Sequence, residues 1–417
     1  MTQGRILAGV TAVVAVVALA TGNDALTRLT YVLVGVLSVC FVLAWTSVRW
    51  LDLSRNTRSR RAIVGGLAEE TFGLTNKSWL PKLFLEVGDD SDLPGHRASR
   101  VISGLGPNDR RTWSVRTPCT RRGSFTLGPV TLAGGDPLGM FRRELHLDQT
   151  ASFVVYPMTV PLEGLELPSG FVSGGPVVRR RAEYSTVNVR GLRQYEPGDG
   201  FNRIHWPTTA RRQKLFVKEF ELDPMADIWV VVDLDRTVHV GVEESEPDAA
   251  HGALPWIEQP DFTLPPTTEE YTVCAAASVA RHLLERGKSV GLIAHGQRRV
   301  LLRPDRGERQ VHKILSHLAV LRARGQTGFA DVLALEGHEF TRYATVVAVT
   351  PATTLRWVGA LRELKMRGVR SVAVMIEPST FGVAAAPSLA TASALAAHGI
   401  SSRLVKCGGD ISASLVR

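Results

Sequence analysis

Ile228-Trp229-Val230-Val231-Val232-Asp233-Leu234-Asp235-Arg236-Thr237 is the stretch on which the fold turns. Its apolar run reads as a strand buried on both faces. Beyond it, strands and helices alternate. Thr268 to Arg286 reads as a helix, entered at a Thr-Thr-Glu-Glu start that resembles a cap with early acids. Ser289 to Ala294 and Arg299 to Leu302 read as strands, and Gln310 to Leu321 as a helix. Thr345 to Val349 and Ser371 to Ile376 are strands with a helix, Thr354 to Met366, between them. An Ala-rich helix near 389–397 and a strand, Ser402 to Val405, complete the series. Such alternation predicts a parallel sheet covered by helices on both faces, with ligands at the carboxyl ends of its strands.

Upstream the pattern changes. Between 68 and 162, strand-like pieces (83–87, 112–115, 124–127 and 152–156) are separated by Gly, Pro, Asp and Asn. Short strands with regular turn signals predict a β-sandwich. Further upstream, Ile6 to Gly22 and Leu29 to Val48 carry no charge, and each approaches the roughly 20 residues that cross a bilayer as a helix. The short connection from Asn23 to Arg28 makes them a hairpin. Arg49, Arg55, Arg58, Arg60 and Arg61 crowd the far flank, which the positive-inside rule places in the cytoplasm. The chain is then a multi-pass protein of the cell membrane with cytoplasmic soluble domains. A rival reading takes the first run as a signal peptide, with Ala18-Leu19-Ala20 as its cleavage site. The basic stretch from 51 to 61 reads as a juxtamembrane linker, either a contact for anionic lipid head groups or a topology signal alone.

The chain has 417 residues, too many for one core, and a net charge of +9. Between 176 and 218, ten Arg or Lys face three acids, a net of +7. Basic excess admits nucleic acid, anionic lipid or an acidic protein. No zinc-finger spacing or RNA-binding aromatic motif is present, so the expectation is that nucleic acid is not the partner. Cys40, Cys119, Cys274 and Cys407 form no C-x-x-C pair, which argues against a zinc ribbon and for a reducing compartment. Enzyme motifs are also missing. Gly287-Lys288-Ser289 lacks the upstream glycine of a phosphate-binding loop and leads into a strand. No nucleophile elbow and no H-E-x-x-H appears. Cys274 and His282 lie two helical turns apart and read as packing.

The run from Arg190 to Glu221 mixes turn chemistry, aromatics and cations: R-G-L-R-Q-Y-E-P-G-D-G-F-N-R-I-H-W-P-T-T-A-R-R-Q-K-L-F-V-K-E-F-E. Tyr195-Glu196-Pro197-Gly198-Asp199 places Pro then Gly at the centre of a tight turn. Arg190, Arg193, Arg203, Arg211 and Arg212 surround it, and Trp206 is the expected anchor packed beneath them. One reading makes these residues a docking surface for an acidic partner, since Arg and Trp are hot-spot types. The other makes them a wedge between sandwich and α/β domain, with Glu196 and Asp199 paired internally to the arginines. His205 reads as a packed or hydrogen-bonded histidine.

This run resembles the signature of the domain of unknown function 58 (DUF58) family, bacterial membrane-tethered proteins with a von Willebrand A-like module. Leu74-Thr75-Asn76, R-R-G-S-F-T-L-G-P and Gly135-Asp136-Pro137-Leu138-Gly139 resemble the sandwich that precedes it in the family. The usual family pattern is Arg-x-Ile-Asp-Trp-Lys; here His205 and Pro207 stand at the acid and the Lys. The resemblance implies a MoxR-type AAA+ ATPase as partner and a role in assembling or maturing membrane or envelope complexes. It also implies a Mg²⁺ site. Von Willebrand A domains use an Asp-x-Ser-x-Ser loop, matched in spacing by Asp233, Asp235 and Thr237, with a further Thr corresponding to Thr327. Asp and Thr replace the two serines, and the later Thr-Asp-Gly reads Thr350-Pro351 with no acid. The alternatives are loop bracing or a metal-dependent hydrolase at the Asp233 loop. The acidic, Pro-rich segment 242–266 is an insertion that would stay solvated, cover that loop or dock on the basic signature.

These readings predict an α+β multidomain chain. A transmembrane helical hairpin occupies 1–50, a basic linker 51–67, a β-sandwich 68–165, the signature segment 166–225 and an α/β domain 226–417. By resemblance the last is von Willebrand A-like, of Rossmann type. The chain reads as a non-enzymatic adaptor.

Overall fold

The computed structural model describes residues 2–165, 189–196, 204–220, 227–241, 262–382 and 385–416. Helices α1 (Thr2–Thr21) and α2 (Asp24–Ser47) pack as a hairpin. Gly22, at φ +61°, makes the turn in a backbone region that favours glycine, and Asn23 caps α2 by accepting the Ala25 N–H at 2.9 Å. Both helices are long and apolar enough to cross a membrane. Their side chains face outward, Val13 being 63% exposed and Tyr31 73%. The helices of a soluble core bury such faces, so this exposure suggests membrane association.

The strands that follow are β1 (Leu51–Thr57), β2 (Arg61–Ile63), β3 (Leu67–Asn76), β4 (Lys82–Asp89), β5 (Arg100–Leu105), β6 (Arg110–Pro118), β7 (Gly123–Leu127), β8 (Val130–Gly135), β9 (Arg142–Leu147) and β10 (Ala151–Tyr156). They form antiparallel sheets in the orders β1-β3-β6 and β5-β4-β8-β9, and a third sheet, β2-β10-β7. Period-two alternation turns Leu53, Phe72, Leu74 and Trp113 toward Leu85, Val87, Val130 and Leu132 in one shared core. The rings of Phe72 and Trp113 stack at 5.3 Å.

The expected linker at 51–67 is therefore corrected: β1 and β2 occupy it. Leu53 is buried in the sandwich core, and Arg55 is sealed between Glu70 at 2.7 Å and Asp89 at 3.0 Å. A cation so enclosed cannot touch lipid head groups, whereas Arg58, Arg60 and Arg61 remain exposed. Asn76 also proves to be a brace: its Nδ2 donates to Leu80 O and Gly106 O, and its Oδ1 accepts the Ser78 N–H.

The signature supplies β11 (Val189–Gln194), α3 (Trp206–Arg212) and β12 (Phe216–Phe220), the strands forming a two-stranded antiparallel ribbon. The last region holds β13 (Ile228–Val232), α4 (Thr268–Glu285), β14 (Val290–His295), β15 (Arg299–Asp305), α5 (Glu308–Val320), α6 (Phe329–Leu335), β16 (Thr345–Thr350), α7 (Arg356–Met366), β17 (Arg370–Ile376), α8 (Leu389–Ala397), β18 (Ser401–Val405) and α9 (Ile411–Val416). The sheet order is β15-β14-β13-β16-β17-β18. It is mixed, not wholly parallel: β15 runs antiparallel to β14 because the short connection at 296–298 permits only a hairpin. Every residue of β13 is buried. Val230 and Val232 face a core with α4 and α5, and Trp229 and Val231 face one with α6 and α7. Helices α6 and α9 extend the series beyond the sequence reading.

Candidate functional site

Strand β13 lies at the centre of the sheet, with β14 on one side and β16 on the other. β13 runs parallel to both neighbours, and successive connections leave it in opposite directions along the sheet, the position at which sheets of this kind place their ligands. Asp233 and Asp235 emerge at this point, the former 2% exposed. One Asp233 oxygen accepts the Asp235 N–H at 3.1 Å, and the other accepts the Thr350 hydroxyl at 2.5 Å. Asp235 Oδ1 accepts the Thr237 N–H at 3.0 Å. Two successive carboxylates thus brace the turn in the way short acids do.

Burial pushes Asp233 up to about 7; the bonds from Thr350 and the Asp235 N–H oppose the shift, and the charge of Asp235 adds to it. His239 is held below the usual imidazole range, first by burial. Its Nε2 donates to Asp233 O at 3.0 Å, so that nitrogen carries a proton.

The loop carrying Thr327 is drawn to the same edge. Gly325 donates to Leu234 O at 2.9 Å and accepts the Arg236 N–H at 3.0 Å. A Cβ there would lie 2.2 Å from His295 O and 2.7 Å from Leu234 O, so only glycine fits. Gly328, next to Thr327, stands beside Asp235 Oδ2 and Asp331 Oδ2, which a Cβ would approach to 3.9 and 3.4 Å. Carboxylates and hydroxyls are the donors a hard cation takes. Among the described residues, however, no group of three or more His, Cys, Asp or Glu is placed to hold a metal.

An ion-pair clamp below this loop was not read from the sequence. Arg122, between β6 and β7, is fully enclosed. It pairs with Glu269, with Glu270 at 2.8 Å and with Leu321 O at 2.9 Å. Arg322 closes the ring, reaching Glu270 at 3.3 Å and Arg122 O at 2.8 Å. The acids sit in the first turn of α4, where the helix dipole favours negative charge. The clamp ties the sandwich to the helix that follows the Asp233 loop. Its only trace in the sequence is the Thr-Thr-Glu-Glu start, which reads as a cap.

The signature residues lie on other elements, the β11–β12 ribbon and α3. Arg193 Nη1 lies 3.9 Å from Glu196 Oε2, a contact within the signature between side chains that both reach solvent. Tyr195 joins the ribbon through its N–H to Leu215 O at 2.8 Å. His205 caps α3, its Nδ1 2.9 Å from the Thr208 hydroxyl. Trp206 does not pack beneath the arginines; it is 63% exposed, because it opens a short helix with no buried residue. Arg211 and Arg212 are exposed, with Arg212 over the Phe216 ring at 5.6 Å. Arg190 lies in β11, its side chain outside the described residues. Asp199, Arg203 and the 242–261 part of the acidic insertion also lie outside them.

Residues 191–251 match the family model described as Protein of unknown function DUF58. The Uncharacterized protein YeaD of Bacillus subtilis (strain 168) is 22% identical over 292 residues, covering 67% of this chain and 64% of that protein, just under two thirds of the relative's length. Among solved structures, the conserved hypothetical protein BatB from Bacteroides thetaiotaomicron is 12% identical at a TM-score of 0.29, over 45% of this chain and 93% of that one. The CARDB domain of a Pyrococcus furiosus protein is 14% identical at a TM-score of 0.19, over 25% of this chain and 91% of that one. At such scores neither structure bears on fold or function.

Proposed function

We propose, from the premise that this chain belongs to the DUF58 family, that it is a non-enzymatic, membrane-anchored adaptor. Its α1–α2 hairpin spans the membrane, the sandwich and the von Willebrand A-like domain lie in the cytoplasm, and the signature ribbon receives an acidic protein partner. The observation that carries this reading is the exposure of Trp206, Arg211 and Arg212 on one short helix outside the hydrophobic cores. Aromatic and guanidinium groups held in one place suit a protein hot spot. By family resemblance the partner is a MoxR-type AAA+ ATPase, and the work is assembly or maturation of membrane or envelope complexes.

A photo-crosslinker at Leu215, beside α3, tests this in native membranes. Capture of an ATPase that is lost in the Arg211→Ala, Arg212→Ala double variant and kept in Asp233→Ala supports the adaptor. Capture that ignores the double variant, or a product containing only this chain, overturns it.

The second reading is a metal-dependent hydrolase, with Mg²⁺ held by Asp233, Asp235, Thr237 and Thr327. In its favour is the buried Asp233 carboxyl, whose ionised form a cation would stabilise. Bound there, the ion would polarise a substrate oxygen. Both Asp233 oxygens already take hydrogen bonds, which favours the brace. Mg²⁺-dependent stabilisation abolished by Asp233→Asn would reverse that preference.

A further inference from the structure

The loop joining β8 to β9, Asp136-Pro137-Leu138-Gly139-Met140-Phe141, lies against the hairpin. The Phe141 ring meets Phe41 edge-on at 5.7 Å, and α1 approaches so closely that a Cβ on Gly4 would lie 2.7 Å from Met140 O. Gly4 and Phe41 therefore mark one level, beside the charge of Arg5. Pro137 and Leu138 reach further along α2. With Val32, Gly35, Val36, Val39, Cys40 and Leu43 they line an open apolar groove of about 500 Å³. Val36 lies five residues before Phe41, about 7–8 Å along the helix axis at about 1.5 Å per residue. Peripheral apolar elements enter a bilayer to about 5–10 Å.

The backbone donors of the loop are also turned inward. Non-helical backbone tolerates an apolar surround only when its polar groups are satisfied within the protein. Pro137 has no N–H. Asp136 O accepts the Gly139 N–H at 3.1 Å, Asp136 Oδ2 accepts Leu138 N–H at 3.0 Å and Oδ1 accepts Phe141 N–H at 2.6 Å. The Met140 N–H also bonds the Asp136 carboxylate, and such bonds hold it below the usual carboxylate range against the opposing effect of its burial. One buried side chain and its own carbonyl thus receive every donor of the tip. Leu138 nevertheless remains 62% exposed, so the hairpin does not absorb its apolar face.

The surroundings agree. Lys82 Nζ donates to Thr46 O at 2.6 Å and Lys77 N to Trp50 O at 2.8 Å, fixing the 77–82 segment around the end of α2. That segment exposes Trp79, which is 79% accessible, beside Trp50 and the Trp45–Arg49 cation–π pair at 3.7 Å. Indole and cationic groups at this level are those that settle at a membrane interface.

We propose that the Pro137–Met140 tip is a second membrane contact, inserted at the interfacial depth of the leaflet beside the sandwich, with phospholipid acyl chains filling the groove between it and α2. The proposal rests on the reading that the hairpin spans the membrane. It fixes the sandwich directly on the bilayer, so that the signature ribbon is presented at a set height.

The test uses the full chain carrying Cys40→Ala and Cys407→Ser, in phosphatidylcholine proteoliposomes. A polarity-sensitive fluorophore is placed singly by Leu138→Cys, Val13→Cys or Leu335→Cys. Nitroxide-labelled phosphatidylcholine quenches it from a shallow or a deep position. The expected result is loss of Leu138 signal mainly to the shallow quencher, loss of Val13 signal mainly to the deep one, and no loss at Leu335 on α6. Quenching at Val13 with none at Leu138 overturns the tip contact and leaves the span intact. No quenching at Val13 removes the span and the tip contact with it. Stronger deep than shallow quenching at Leu138 overturns the assigned depth.

Discussion

Arginine has two settings in this molecule. Arg55 and Arg122 are sealed among carboxylates, whereas Arg211 and Arg212 stand exposed on α3 beside Trp206. The same side chain joins modules in one place and offers a surface in the other. Burial sets the difference: an enclosed guanidinium must find acids and carbonyls, and once it does, removing it strands those partners. An exposed one costs the fold little to lose and remains available for docking. The net basic charge therefore says less about partners than its total implies.

The largest effect expected from this contrast is at Arg122. Arg122→Ala leaves Glu269, Glu270 and Leu321 O without their buried donor, at a cost of about 3–5 kcal/mol. Denaturant unfolding of the detergent-solubilised chain measures it. A loss of less than about 1 kcal/mol would class this arginine with the surface pairs and erase the distinction.

Asp233 sharpens the same point for an acid. Its folded pKa of about 7 lies above the ordinary carboxylate value, so the fold binds its proton more tightly than the unfolded chain does. The stability it lends is complete below about pH 4 and is lost as pH rises toward 7, amounting to on the order of 4 kcal/mol. Asp233→Asn mimics the protonated acid, accepting the Asp235 N–H through its oxygen and offering an N–H to Thr350. It should match the wild type near pH 4 and exceed it at pH 8, without added divalent cation. Equal stabilities at pH 8 would mean that the carboxylate is not desolvated as its surroundings require.

Asn76 should show a smaller loss. Asn76→Ala removes the donor contacts to Leu80 O and Gly106 O and the acceptor contacts from the Ser78 N–H and hydroxyl in a buried turn, for about 1–3 kcal/mol by thermal unfolding. The residue tests whether family-like turn positions act through satisfied polar groups or only through backbone preference.

These cases show what the sequence could convey. Periodicity located β13, α4, β16 and β17 because a buried strand or amphipathic helix writes its face into consecutive residues. It placed the Thr327 loop near Asp235 only through resemblance; the deciding contact, Gly325 between Leu234 O and His295 O, joins distant segments. The 51–67 stretch misled because Arg55 reads alike whether it faces phosphate or Glu70. The Arg122 clamp left almost no signal, since its acids lie 147 and 148 residues away in sequence. Trp206 was misjudged for the converse reason: large aromatics are usually buried, and only the shortness of α3 shows why this one is not.

The smallest stability effect belongs to that surface. Trp206→Ala with Arg211→Ala and Arg212→Ala removes side chains that support no core, so unfolding should shift by no more than about 0.5 kcal/mol for each. Phe216 loses the guanidinium above its ring, a contact worth at most about 1 kcal/mol when exposed. If the triple variant instead unfolds several kcal/mol earlier, these residues belong with Arg122 as internal joints, and the docking reading loses its basis. If stability holds while capture by the Leu215 crosslinker disappears, the near-neutral cost to the fold is itself informative. A cluster of aromatic and cationic groups that contributes so little inside the chain is then explained by what it binds outside it.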